Sequence, residues 1–400
     1  MGQENSLGII ATSYNFIEKH NDLFGIDGRF RLDKQTTATF QVLGTTSRNF
    51  FFDPNDGVTR YRTGNGFAYS GSYVNSGRNW GWEAGGEGFT KDYRADVGFV
   101  QRTNSNFNYV FGRYNSDPNP KKTLISYHLH NFTHFDYDWQ GRMYAWESEN
   151  LIELGLKRNS WLGVWWEPGY ERLFDHEFGA TREAQTCDPF ATVNHGGCTF
   201  YGPSTERASA KQHISFYGGS NWSKKISFNG QFTYRFGHFD LDFGNGRKYP
   251  RVSPAALALG PLAPLDPGRG NMLQVNGGVT YQPTNELRMQ FNLNKQRLVR
   301  NDTGLVAFDV NILTFRGTYQ FTKATFARVI LDYNTLNSRI RGQFLAGWTP
   351  SPGTSLYVGY NDDLNYNTFH PFTGQLTPGF RRNSRTFFVK MSYLIRKSFG

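Results

Sequence analysis

No stretch of this 400-residue sequence stays apolar for the roughly 18 residues that a membrane-crossing helix needs. The longest candidate, Ala255 to Leu265, is broken by Gly260, Pro261 and Pro264 and reads as loop. A mean hydropathy of −0.58 excludes a helical membrane protein, and Leu, Ile, Val and Ala are too sparse for an ordinary soluble core. Cysteine is nearly absent: Cys187 and Cys198 enclose ten residues of one long loop. They lack the partners of a zinc site, which leaves a loop disulfide, favoured in an oxidising compartment, or two free thiols; the disulfide is the expectation. Gly-x-Ser-x-Gly, P-loop, dinucleotide and His-Glu-x-x-His signatures are missing, so the chain is not read as an enzyme and no cofactor is expected. The start, Met1 to Ile10, has neither the basic nor the apolar region of a secretory signal.

What is present is aromatic: 36 Phe, 22 Tyr and 9 Trp make up 17% of the chain, beside 44 Gly. These residues recur at every second position. From Thr386 onward, Phe387, Val389, Met391, Tyr393 and Ile395 share one face, and Lys390, Ser392 and Arg396 the other, because side chains alternate along a strand. Ile226 to Phe236 and Leu287 to Gln296 repeat the pattern. One greasy face and one wet face, hairpin after hairpin, predict an all-β fold: a single-domain, large antiparallel transmembrane β-barrel over residues 1–400, of about 16–20 strands.

Loop lengths give the orientation. Counting back from the C-terminus, Pro350 to Gly353, Thr322 to Ala324, Pro283 to Asn285 and Ser223 to Lys224 are tight turns. Asp362 to Asn383, Thr335 to Ser338, Val299 to Gly304 and Gly244 to Gly270 are the loops at the other end. Bacterial barrels keep short turns in the periplasm. The alternation fails between Arg48 and Ala210, where strands are read at Phe67 to Asn75, Trp80 to Phe89, Tyr93 to Gln101 and Phe107 to Tyr114, with a first loop at Arg48 to Thr63. That segmentation totals about 19 strands, so one strand is merged or split. Because a barrel must be exported, the chain is expected to be a fragment or a processed form, N-terminally truncated, with its first strand partly unpaired.

The formal net charge of +10 points to anionic surfaces, lipopolysaccharide or an anionic solute. The basic residues form no patch, which argues against nucleic acid. Arg235, Arg288, Arg316, Arg328, Arg339, Arg341, Lys390 and Arg396 sit opposite apolar neighbours and are expected in the lumen. There they either select anions as a ring or pair with carboxylates or a plug and conduct nothing. Trp139, Trp161, Trp165, Trp166, Trp222 and Trp348 suit an interfacial girdle, with a sugar-stacking platform as the alternative. In the hairpin that turns at Asp138 and Trp139, a two-residue turn would set His130 opposite Glu147 and His128 opposite Glu149 on the inward face. Those four could bind a divalent transition metal or form a proton-sensitive gate; the plainer alternative is a lumenal polar cluster.

The segment FARVILDYNTLNSRIRGQFLAGWTPSPGTSLYVGYND, then NSRTFFVKMSYLIRK, with FGIDGRFRLDKQTTATFQVLG and the Asp138 to Gly141 turn upstream, resembles a large uncharacterised bacterial outer-membrane barrel family. In that family the barrel follows an N-terminal domain like carbohydrate-binding family 9. The resemblance implies an outer-membrane location and further sequence ahead of Met1, and it supplies no catalytic residues. The expected function is the membrane portion of a transport or surface-binding protein, with outer-membrane lipid and lipopolysaccharide as surroundings. The alternatives are an anchor for a surface enzyme or adhesin, and a carbohydrate-binding surface protein.

Overall fold

The computed structural model describes residues 4–53, 58–100, 102–175, 200–370 and 372–394. Period-two segments become long strands: β1 (Ser6–Phe16), β2 (Lys19–Arg31), β3 (Thr36–Asp53), β4 (Val58–Ser76), β5 (Trp80–Phe89) and β6 (Ser105–Asn115). The middle of the chain forms β7 (Leu124–Tyr137), β8 (Met143–Leu156), β9 (Ser160–Phe174), β10 (Glu206–Ser220), β11 (Ile226–Asp240) and β12 (Gly268–Tyr281). The remainder forms β13 (Leu287–Arg300), β14 (Val306–Gln320), β15 (Thr325–Asn334), β16 (Arg339–Ser351), β17 (Thr354–Phe369) and β18 (Leu376–Tyr393). Each strand pairs antiparallel with its neighbours in sequence. Among the described residues the result is an 18-stranded up-and-down sheet of the outer-membrane barrel type.

The two faces separate as the alternation requires. Leu129, Ile152, Val164, Phe216 and Phe232 follow one another across β7 to β11 on the outward face, Phe216 being 53% exposed. Such residues are stable there only against lipid. The inward face carries Ser209, Ser215 and Thr233, all buried.

With 18 strands the orientation has no exception. The turns at 32–35, 77–79, 116–123, 157–159, 221–225, 282–286, 321–324 and 352–353 share the end where β18 finishes, the periplasmic one. Segments 90–104 and 241–267 lie at the opposite, external end, where β9 finishes and β10 begins. The surplus strand of the sequence reading is Tyr93 to Gln101, of which the described residues 93–100 form no strand. It belongs to an external segment that folds inward over β2 to β4. Asn21 holds it with both ends of its amide, donating to the Arg94 carbonyl at 2.9 Å and accepting from the Asp96 amide at 3.0 Å. Tyr93 packs with Leu23 and Ala68. A Cβ at Gly66 would overlap the Tyr93 backbone, so glycine permits this approach. Two expected loops are also corrected. Arg48 to Thr63 and Asp362 to Asn383 are mostly strand, the tall ends of the β3–β4 and β17–β18 hairpins.

Segment 241–267 contains the short helix α1 (Pro254–Leu259), capped by the Ser253 side chain on the Ala256 amide. Val252 packs it onto the inward residues Met272 and Leu298, and Tyr249 donates to the Asp309 carbonyl. Cys187 and Cys198, and with them the disulfide expectation, lie outside the described residues, as does Arg396. Among the described residues β1 and β18 share no ladder bonds, which leaves an edge on each.

Candidate functional site: the inner wall of the barrel

The basic residues singled out in the sequence lie on the inward face, arranged as a staircase and not a ring. Arg288 and Arg328 flank Thr318 in one cross-strand row. Arg316, opposite Gln290, occupies the next row; Arg341, opposite Asp332, the one after; Arg339, opposite Asn334, the fourth. Rows on one face are two residues apart, about 6.6 Å along a strand. Arg235 and Lys390 extend the same face, opposite His213 and Tyr357. Arg339 is held by Asp363, with Nε at 2.7 Å from Oδ1. Among the described residues, Arg235, Arg288, Arg316, Arg328, Arg341 and Lys390 have no carboxylate in ion-pair reach.

The histidine hairpin has the expected face and a different register. His128, His130, Glu147 and Glu149 point inward, while Tyr127, Leu129, Trp146, Ile152 and Leu154 are on the outward side. His134, not His130, stands opposite Glu147, and His128 stands opposite Glu153, a displacement of four residues. Three of the four come from Asp138, and the fourth from a bulge between Asp136 and Tyr137. Fully covered, the Asp138 carboxylate accepts from the Gln140 amide at 2.9 Å, the Arg142 amide at 2.7 Å and the Arg142 Nε at 2.6 Å, building a five-residue turn where a two-residue one was expected. Burial alone would raise the Asp138 pKa, but the Arg142 amide and guanidinium outweigh it and hold the carboxyl below its usual range. A depressed carboxylate stabilises the fold above its unfolded pKa of about 3.9, and the contribution is lost as pH falls through the lower folded value. Asp138→Asn should therefore destabilise the turn by about 1–3 kcal/mol at neutral pH and by progressively less below about pH 4. Amide exchange of residues 138–142 is the readout.

The metal expectation is corrected by this register. Glu147 pairs with Lys211 and, at 3.5 Å, with His134. His130 Nε2 meets Glu149 at 2.7 Å, and its Nδ1 is taken up by His128 Nε2 at 3.1 Å. The four residues thus fall into two groups, and among the described residues no three His, Cys, Asp or Glu side chains gather as a metal-ion site.

An acidic, aromatic wall on β5 to β9 was missed, although Glu83 and Glu87, then Glu147, Glu149 and Glu153, then Glu167 and Glu171, keep the period that would have found it. Tyr109 donates to Glu83, and Tyr217 to Glu153 at 3.3 Å. Lys211 joins Glu147 to Glu171, the latter at 3.3 Å. Trp161 and Trp165 belong here and not in the girdle: they face inward, Trp161 against Tyr217 at 5.6 Å and Trp165 against His213 at 4.5 Å. Trp166 and Trp348 face outward as expected, and the Trp139 indole donates to the Phe89 carbonyl at the external rim.

No family model matches the sequence, and no curated protein matches it. Among solved structures, a point mutant of the ferric enterobactin receptor from Pseudomonas aeruginosa superposes with a TM-score of 0.53 at 12% identity, over 94% of this chain and 61% of that one. This chain thus spans about three fifths of that receptor's length. A copper transporter, OprC, gives a TM-score of 0.44 at 9% identity, over 93% of this chain and 64% of its own. The siderophore receptor PirA from Pseudomonas aeruginosa gives 0.38 at 11%, over 98% and 74%. At 12% identity the first likeness is one of fold, that of an outer-membrane β-barrel.

Proposed function

We propose that this chain is the membrane portion of an outer-membrane solute-uptake protein whose lumen draws an anionic solute inward. The observation that carries the reading is the arginine staircase: four successive inward rows on β13 to β16 each hold a guanidinium, and among the described residues only Arg339 of these is in ion-pair contact with a carboxylate, Arg341 lying between Asp332 and Asp363 without touching either. Unpaired cations on one wall of a water-filled path lower the barrier for anions. The chain acts as a path and not as a catalyst. The barrel sits in the bacterial outer membrane, its outward aromatics against lipid and lipopolysaccharide. In proteoliposomes the chain should pass dianionic solutes faster than neutral ones of equal size. The triple variant Arg316→Gln, Arg328→Gln, Arg341→Gln should lower anion flux about tenfold and leave neutral flux unchanged. Absence of any flux would favour the second reading, an anchor for a surface enzyme or adhesin, which the inward-folded segments 90–104 and 241–267 support by narrowing the mouth.

The free edges of β1 and β18 bear on the same reading. Unsatisfied backbone groups in lipid cost several kcal/mol each, so both edges need partner strands. Further strands between β1 and β18 complete the barrel in this proposal. In a background of Cys187→Ser and Cys198→Ser, paired cysteines at Ile9 or Leu7 and at Val389 or Met391 should form no disulfide in the membrane. Efficient cross-linking would mean that the two strands close directly on one another.

A further inference from the structure

We propose that the cavity between segment 90–104 and the external ends of β3 and β4 binds a compact tetrahedral oxyanion, of the phosphate or sulfate type. The inference rests on the uptake reading and adds a capture site at the mouth and a size class.

One side of the cavity is a pair of consecutive inward rows, Ser47 opposite Gly64 and Asn49 opposite Arg62. The other side is segment 90–104, fastened to the inner wall by Asn21 and by the packing of Tyr93 on Leu23 and Ala68. Gly64 sets the distance between the two. A Cβ there would lie 2.8 Å from the Asp92 Cβ, so glycine is what lets Asp92 come close enough to accept from Arg62 Nη2 at 3.1 Å. The space left measures about 170 Å³, room for about five waters at roughly 30 Å³ each.

The lining selects an anion. Lys91, Arg62 and Arg94 face the cavity with the hydroxyls of Ser47 and Thr103, against one carboxylate, that of Asp92. Arg62 already occupies that carboxylate. Arg94 gives Nε to Asp96 at 2.5 Å and keeps both Nη groups to donate, and among the described residues Lys91 has no carboxylate in ion-pair reach. Even with Asp96 counted, three cations face two carboxylates, and a cationic ligand would meet only carboxylates already engaged. A guanidinium fork beside an ammonium suits the equivalent oxygens of a phosphate or sulfate. Size narrows the class further: an oxyanion of five heavy atoms fits the space, and a polyphosphorylated ring does not. Because the cavity opens on the inward face, phosphates of the surrounding lipid do not reach it.

The test is calorimetry on the full chain in nanodiscs with orthophosphate, sulfate and inositol hexakisphosphate. Orthophosphate and sulfate should bind one to one. Lys91→Gln and Arg94→Gln should each weaken both by about tenfold, and Lys91→Arg, which keeps the charge, should retain binding. Unchanged heat-modifiable mobility on gels shows that each variant is folded. Arg328→Gln, in the staircase, should lower anion flux and leave this binding as it is. Orthophosphate binding that ignores Lys91 and Arg94 would overturn the site. Failure of orthophosphate to bind in a chain that still passes anions would overturn it too and leave the uptake reading standing. Tighter binding of the hexakisphosphate than of orthophosphate would also count against it, the mouth then being a diffuse basic surface.

Discussion

Phe232→Arg should prevent assembly of the barrel in a membrane, whereas Gln231→Arg, its neighbour in sequence, should be tolerated. Phe232 lies on the outward face in the row of Phe216 and Val275, and is 47% exposed. Arginine near the midplane of a lipid-facing strand destabilises a barrel by about 2–4 kcal/mol, which lowers the folded-to-unfolded ratio some 30- to 1,000-fold. Gln231 points inward and donates to Ser215 at 3.0 Å, where a charge meets a polar lumen. The heat-modifiable fraction after refolding into lipid is the measurement. Equal yields from both variants would mean that the apolar face is not against lipid.

Arg300→Met should release segment 241–267 while sparing the strands beneath it. The Arg300 side chain is wholly covered: Nη1 meets Asp240 at 2.9 Å, Nη2 meets Asp302 at 2.7 Å, and Nη2 donates to the Asp266 carbonyl at 3.0 Å. Arg251 does the same within the segment, binding Asp242 at 2.6 Å and the carbonyls of Pro261, Ala263 and Pro264. Removing one partner of a buried ion pair leaves an uncompensated charge and destabilises by about 3–5 kcal/mol. The apolar contacts of Val252 with Met272, Leu298 and Ala307 are too few to hold the segment alone. Protease added outside intact cells should cut within 241–267 in the variant and not in the parent, with the barrel core equally resistant in both. Uncut variant protein would mean that the segment is held by contacts other than this arginine.

The lipid-facing alternation was legible in the sequence because the bilayer imposes it: every second side chain of β11, β13 and β18 has one solvent to suit. Where that constraint ends, the reading slipped. The tall ends of β3, β4, β17 and β18 stand in water on both faces, so their pattern looks like loop. Tyr93 to Gln101 alternates enough to pass for a strand, yet the amide of a residue more than seventy positions earlier, Asn21, holds it flat against the inner wall. The four-residue displacement of the histidine hairpin came from the five-residue turn that Asp138 closes and from a bulge between Asp136 and Tyr137, neither of which the alternation announces. The basic staircase was found as a set of residues, but its rows needed the cross-strand register. Trp161 and Trp165 were misplaced because tryptophan near a strand end suits an interface equally well, and only parity along β9 turns them inward.

Uptake of an anion through this chain requires a lumen that is open to the outside and basic along β13 to β16. Charged thiol reagents applied to intact cells test that most directly, using single cysteines in a Cys187→Ser, Cys198→Ser background. Arg316→Cys and Gln290→Cys should be modified from outside, faster by an anionic reagent than by a cationic one of similar size. Phe315→Cys, one residue along β14 and facing lipid, should stay unmodified. Equal modification at positions 315 and 316, or no modification at either inward position, would contradict the account.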